Sequence, residues 1–521
     1  MFSVFRPDFW QAWPHSSKFL LLLAAVLLLA SFETAFFSLK RPAADGHVFA
    51  YMAQQFLAEP TSFFSYAPPP GHGYMPEVFI CAIILFLAPQ LAAWQVIGIA
   101  NIVMSLAFVW LLSVFLPNSL AAHSQTRARP HNDPFVRKIE IAPLASRICM
   151  ASTLLAFLNF ANATRDSFFG LDATNAHMGA YVTGLLLVGL ILGTHKPATR
   201  IALIIFCALG LFSSKLVLAS AVAPLLLMIF IGILWRRSVT AKDLQNAALL
   251  FALSCFAFAP NFLLSGLETV QRTSLSVSHV LPTLHIWMDF GRAQITHFGP
   301  SQFIYAIMMG ALLVHALRHY RHPMSLLIIA SLLVCFFASL ATGSFRGWNL
   351  RYLGGGLFLA AGFLIAAQSA LTRPIWVGLS ALTIMLAVQN TYDFSYPETR
   401  EQKLAACLKP LLADGTIKRG LAGHWDSAPV NHFLGNRYLI KTTLRGGKPE
   451  PYQWMVDTAQ NHFDQEIDFA LENKANGFYK LSGDNLKMLP GHKGTVKCPT
   501  GDTIIHLYDA KLLGAALTNR P

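Results

Sequence analysis

The chain has 521 residues, 54% of them hydrophobic and only 12% charged, with a mean hydropathy of +0.48. Soluble domains carry about twice that charged fraction, so a water-soluble protein is excluded and a polytopic membrane protein is expected. The net charge of +13 does not point to nucleic acid as a partner, because the basic residues gather in short connectors between apolar runs, the orientation signal of membrane proteins.

A membrane span needs about 20 mostly apolar residues. Such runs lie near 18–37, 77–95, 97–116, 146–163, 177–194, 200–214, 216–235, 244–265, 301–318, 323–342, 352–370 and 374–391. The first is long enough to cross and lacks a small-residue cleavage site, so it reads as a span rather than a removable leader.

Arg41-Pro42-Ala43-Ala44-Asp45-Gly46-His47 follows that first span, with a helical run Val48 to Leu57 behind it. A short carboxylate at such a place caps the free N–H groups of the next helix. It also suits a base held at the water–lipid boundary. Val48, Tyr51, Met52 and Phe56 share one helical face, as expected of a helix lying on the bilayer. Tyr66-Ala67-Pro68-Pro69-Pro70 to Tyr74 turns this first loop back toward the membrane.

The basic connectors Lys196–Arg200, Arg236–Lys242, His315–His322 and Thr372-Arg373 fall on one side, which the positive-inside rule makes cytoplasmic. The loops 163–176, 266–300 and 343–351 and everything from 392 on then fall outside. Arg6 and Lys18 put the N-terminus inside, so the number of spans must be odd, whereas the apolar runs above give an even number. The discrepancy lies between 77 and 147, where Arg127, Arg129, Arg137, Lys138 and Arg147 mark a cytoplasmic loop. One of the two pieces in 77–116 is re-entrant, or a span is miscounted.

Three outer features carry candidate chemistry. Lys215, in Leu211-Phe212-Ser213-Ser214-Lys215-Leu216, interrupts two apolar runs, where an ionisable group is a functional candidate. The alternative is a lysine snorkelling to the interface. Ser344-Phe345-Arg346-Gly347-Trp348-Asn349-Leu350-Arg351-Tyr352 places two arginines among aromatics. Guanidinium groups bind phosphate oxygens through paired N–H donors, but the same residues also suit interfacial anchoring. Asp166 and Asp172, in the loop before the span at 177, are second-rank candidates beside His47, and Asp172 also suits a helix cap. The loop 266–300 is long enough to act as a lid. A divalent metal, if one is used, would draw on His47 or on His279, His285, His297 and Asp289, whose spacing is irregular.

From 395 the character changes to short alternating runs, Tyr438-Leu439-Ile440 and Thr503-Ile504-Ile505-His506-Leu507, with one helical stretch around Val456 to Glu472. A small α/β or α+β soluble domain over 395–521 is expected, with 1–394 as the membrane part and 38–76 as its first outer loop. Gly423-His424-Trp425-Asp426 and Asn431-His432 suit either a polar site or turns. Cys407 and Cys498 flank this region. If it lies outside the cytoplasm, they are a candidate disulfide. No P-loop, dinucleotide fingerprint or paired-Cys zinc site is present in the sequence.

This layout resembles the GT-C superfamily of membrane glycosyltransferases, including its aminoarabinose- and mannosyl-transferase-like bacterial members. The shared features are a first outer loop with an acid before a surface helix, about 11–13 transmembrane helices, a small-residue-then-Lys break and a late Arg-Tyr. A soluble tail completes the pattern. The chain departs from it where a second acid often follows the first, since Gly46 and His47 stand after Asp45. The resemblance implies an inverting transfer from a polyprenyl-phosphate-sugar donor to a glycan, lipid or protein, at the outer face of the bacterial inner membrane. Asp45 would be the base, and Arg346, Arg351, Tyr352 and Lys215 would hold the donor phosphate. The rival readings are an O-antigen polymerase or ligase, a transporter, and a non-catalytic homologue.

Overall fold

The computed structural model describes chiefly residues 15–38, 44–58, 66–67, 74–119, 143–163, 178–263, 323–341, 376–385 and 400–518, with short gaps inside several of these ranges and isolated residues between them. The chain is mostly helical and carries one small mixed sheet.

The apolar runs become helices. They are α1 (His15–Ser38), α2 (Ala44–Ala58), α3 (Phe79–Leu87), α4 (Ala93–Trp110), α5 (Leu144–Ala163), α6 (Met178–Leu192), α7 (Pro197–Ser213), α8 (Ala223–Arg236), α9 (Ala241–Leu263) and α10 (Pro323–Ala341). Two-residue strand β1 (Tyr66–Ala67) follows α2, and a π-turn, Tyr74–Val78, leads into α3. A second π-turn, Leu111–Phe115, continues α4, and a third, Leu218–Val222, precedes α8.

Phe108, Leu112, Leu155, Tyr181, Leu187 and Leu225 lie in the core between these helices. Close approach depends on small residues, as is usual for helices packed in lipid. A side chain on Gly210 of α7 would collide with Thr183 of α6, and one on Gly189 would collide with Phe115. Ser331 of α10 donates its hydroxyl to the Ser220 carbonyl at 2.9 Å. The outward faces are apolar as well: Phe19, Leu22, Val26 and Leu29 form one stripe on α1, all more than half exposed. Apolar faces of that extent are a liability in water and the normal surface in a bilayer. We therefore read the chain as membrane-spanning.

Gln95–Ser119 is the one described helix long and apolar enough to cross a membrane by itself; the other apolar helices have shorter described stretches. The structure corrects the expected span at 77–95. α3 has 9 residues, about 13 Å at 1.5 Å per residue. With the π-turn before it the described segment covers 74–87, so the expected run is broken and is not one continuous helix. It ends at Ala88, and residues 89–91 turn the chain into α4.

Residues 400–518 form the sheet, its flanking helices and one short strand outside it. These are α11 (Arg400–Ala413), β2 (Arg419–Gly423), α12 (His424–Leu434), β3 (Leu439–Arg445), β4 (Lys448–Pro451), β5 (Val456–Asp457), β6 (Ile467–Asn473), α13 (Gly483–Lys487), β7 (His492–Lys497), β8 (Thr503–Tyr508) and α14 (Ala510–Thr518). The strand order is β4-β3-β2-β6-β8-β7, with β2 parallel to both β3 and β6 and the other pairs antiparallel. Leu404, Leu408 and Val430 cover one face of the sheet, while Leu486, Leu513 and Leu517 cover the other.

Where a helix is expected around Val456 to Glu472, the described residues form β5 and β6 instead. Ile467, Phe469, Ala470 and Leu471 are all buried, because β6 is a central strand with helices over both faces. That environment favours a strand over local helix propensity. Cys407 and Cys498 are joined by a disulfide, Cα to Cα 5.9 Å.

Candidate functional site

The site builds outward from α2. Phe49, Met52, Ala53 and Phe56 recur at helical spacing and form one apolar face. Of the face expected to lie on the bilayer, Met52 and Phe56 belong to this one and meet protein instead, while the side chains of Val48 and Tyr51 lie outside the described residues. The apolar face packs on Val78, Cys81 and Leu85 of the α3 segment and on Val96, Ile97 and Ala100 of α4. The short α3 and its turn are what bring these two elements under α2. On another side α12 packs against α2. β1 pairs with β5, Tyr66 with Asp457 and Ala67 with Val456, which ties the loop after α2 to the C-terminal region.

Asp45 and His47 stand in the first turn of α2, which begins at Ala44. A carboxylate there is favoured by the positive end of the helix dipole. Their side chains lie outside the described residues.

Beneath α2 is a carboxylate that the sequence reading overlooked. Glu77, in the π-turn, is buried. Its Oε1 accepts the backbone N–H of Gly179 at 2.8 Å, at the start of α6, while Oε2 has no hydrogen-bond partner. Gly179 must be glycine here, because a Cβ would fall on Pro76 and on both carboxylate oxygens. The π-turn also packs on α7, whose Phe212 joins the cluster under α2. Two residues on, Ser214 is buried with its Oγ unpartnered. An acid at the head of an apolar run was the available signal for Glu77; taking 77 as a span boundary hid it.

Four sequence-distant segments therefore meet: 44–58, 74–78, 178–179 and 212–214. They carry a buried carboxylate oxygen and a buried hydroxyl that have no hydrogen-bond partner among the described residues. Lys215 adjoins the last segment, and the loop with Asp166 and Asp172 leads into the third. Those three residues, together with Arg346, Arg351 and Tyr352, lie outside the described residues. His279, Asp289, Arg292 and His297 do too, and among the described residues no group of three metal-ligating side chains occurs.

The polar clusters in α12 do structural work. Asp426 pairs with Arg400 at 2.9 Å, and Arg400 also donates to Thr503 at 3.0 Å. Asn431 clamps Leu439 through two 2.9 Å bonds, donating to its carbonyl and accepting its N–H.

No family model and no curated protein matches the chain. Among solved structures it is similar to ArnT from Cupriavidus metallidurans in the apo state, with a TM-score of 0.54 and 12% identity, covering 96% of this chain and 99% of that one. It is similar also to ArnT from the same organism bound to undecaprenyl phosphate, with a TM-score of 0.50 and 13% identity over 94% and 98% of the two chains. ArnT is an aminoarabinose transferase of the GT-C family. The GT-C resemblance read from the sequence is borne out at the level of fold, which is similar to that of ArnT over 96% of this chain.

Proposed function

We propose that the protein is a GT-C-type glycosyltransferase of the bacterial inner membrane, taking a sugar from a polyprenyl-phosphate donor at the outer face and passing it to an envelope glycan, lipid or protein. The observation that carries this reading is the match to ArnT over nearly the whole of both chains, one of the two structures holding undecaprenyl phosphate. The packing of the Asp45 helix and of α7 on the turn that carries Glu77 agrees with it.

In the proposed reaction the acceptor hydroxyl gives its proton to Asp45. Its oxygen attacks the anomeric carbon, the carbon–oxygen bond to phosphate breaks, and polyprenyl phosphate leaves with the bonding electrons. Arg346 and Arg351 meet that charge with forked N–H donors, Lys215 with a point charge, and Tyr352 with a hydroxyl. Asp166, Asp172 and His47 contact the sugar or acceptor. Glu77 orders the floor of the site through its bond to Gly179. Residues 1–394 form the membrane part, and 395–521 a periplasmic domain that holds α2 from outside.

The test is mass spectrometry of the lipid that copurifies with the protein, followed by transfer from a radiolabelled polyprenyl-phosphate sugar. Bound undecaprenyl phosphate and Asp45-dependent transfer are expected. A protein that retains no polyprenyl phosphate and transfers nothing would refute the proposal.

A further inference from the structure

Arg147 lies away from the site, in the first turn of α5. Its backbone N–H is satisfied by the Pro143 carbonyl at 3.1 Å. The side chain is only 8% exposed, yet Nε and Nη1 are both buried without a hydrogen-bond partner. A guanidinium keeps its charge under all ordinary conditions, and burying it unpaired is costly. Something should therefore answer it.

The described surroundings offer nothing negative. α5 has no acid in its first turn, and neither does α1, which packs along it. The π-turn Leu111–Phe115, also against α5, carries no charge. A helix side chain leans toward its N-terminus, so Arg147 reaches back over the turn whose first N–H groups lack intrahelical acceptors. Positive helix end and buried guanidinium thus address one spot, and paired N–H donors on one plane match phosphate oxygens.

From these observations we infer that the start of α5 binds the phosphate headgroup of an anionic phospholipid, with Arg147 as its principal ligand. A lipid rather than a free anion fits because the same helix pair presents the exposed apolar stripe of Phe19, Leu22, Val26 and Leu29, with Leu144 exposed beside Arg147. Acyl chains can lie there while the headgroup is held. By the charge of the connector before α5, this is the cytoplasmic leaflet, on the opposite side from the proposed transfer site, so the inference stands whether or not transfer occurs.

The test uses the full chain in detergent. Thermal unfolding is followed while phosphatidylglycerol, phosphatidylcholine or inorganic phosphate is added, and native mass spectrometry counts retained lipid. Phosphatidylglycerol should raise the midpoint saturably, with neither control doing so, and one phosphatidylglycerol should survive delipidation. Arg147→Gln should weaken that response about tenfold or more, and Arg147→Lys less, since lysine keeps the charge but not the fork. Equal responses to phosphatidylglycerol and phosphatidylcholine in the wild type would overturn the site without any variant. An equal response to inorganic phosphate would overturn the lipid assignment, and an undiminished response in Arg147→Gln would overturn the role of Arg147.

Discussion

Glu77 and Gly179, 102 residues apart, are joined by one 2.8 Å hydrogen bond that fastens the π-turn before α3 to the first turn of α6. The bond satisfies an N–H that the helix itself cannot, and it fits only because position 179 has no side chain. Gly179→Ala should therefore cost about 1–3 kcal/mol by overpacking, read as a lower unfolding midpoint. Glu77→Gln keeps an acceptor for the Gly179 N–H and should fold nearly normally. If Glu77 only ties helices together, the glutamine variant will keep its activity. If its free oxygen touches substrate, activity will fall while the midpoint holds.

Asp45→Asn should abolish transfer and leave the protein folded. Asparagine keeps the size and polarity of the side chain, but it cannot take a proton. Loss of a general base typically costs about 10²–10⁴ in rate. Asp45→Glu should also fail, since a misplacement of about 1 Å can itself cost about 10². Glu59→Gln is the control and should be near neutral. Transfer at the wild-type rate by Asp45→Asn would leave Asp45 as a helix-end residue and turn attention to Glu77, Asp166 and Asp172.

Arg346→Ala and Arg351→Ala should weaken donor binding more than folding. Removing a charged donor to phosphate typically costs about 1.5–3 kcal/mol. Binding of polyprenyl phosphate by each purified variant measures this directly. A variant that binds like the wild type has lost only an interfacial anchor.

The Cys407–Cys498 bridge closes a separation of 91 residues. In the chain-entropy account such a loop contributes about 4–5 kcal/mol. Non-reducing peptide mapping should recover the linked peptides, and the Cys407→Ser/Cys498→Ser double variant should lose protection from proteolysis across 400–518. Both thiols free in mature protein would contradict this and the external placement of the domain.

Acid should loosen the β7–β8 edge. His492 Nε2 lies 3.2 Å from His506 Nδ1, and His506 Nε2 lies 2.8 Å from the buried Glu472 carboxylate. Partial burial first, then the facing His506 and Lys487, hold His492 below the usual histidine range. Tyr508 packs on the His492 ring, and the neighbouring Lys493 pairs with Asp509. In the window below about pH 6.5 the unfolded state takes up this proton more readily than the folded one, so stability falls as pH drops. Asp468 works in the opposite sense. Burial raises its pKa against the opposing N–H bonds of Lys418 and Arg419, so its contribution declines as pH rises above about 4. Hydrogen-exchange protection factors across 467–508, taken relative to the intrinsic rate at each pH, should fall from pH 7.5 to 5.5, and His492→Gln should flatten that slope. A slope unchanged in the variant would assign it to other groups.

The long apolar runs were legible because a core-facing helix in lipid is apolar on every side, and composition alone reveals it. The segment 77–95 misled because an average over a window does not register where a helix stops; Pro89 and Gln90 interrupt it. Glu77 was missed for a related reason, its partner being a backbone N–H 102 residues away. β6 defeated local reading because Ile467, Phe469 and Ala470 owe their strand to neighbours on both sides. The face of α2 was legible as apolar, but whether lipid or protein covers it depends on how far α3 travels, which no local pattern encodes.

The short ladder between β1 and β5 bears on how the chain is made. Tyr66 and Ala67 emerge roughly 390 residues before Val456 and Asp457, their partners. At about 5–20 residues per second that is a delay on the order of half a minute. Throughout it the pairing groups of Tyr66 and Ala67 wait without the strand that will answer them. Final seating of α2 therefore belongs to the last stage of biogenesis, and a nascent chain arrested before residue 456 would hold every described membrane helix without the clasp that holds its first loop shut.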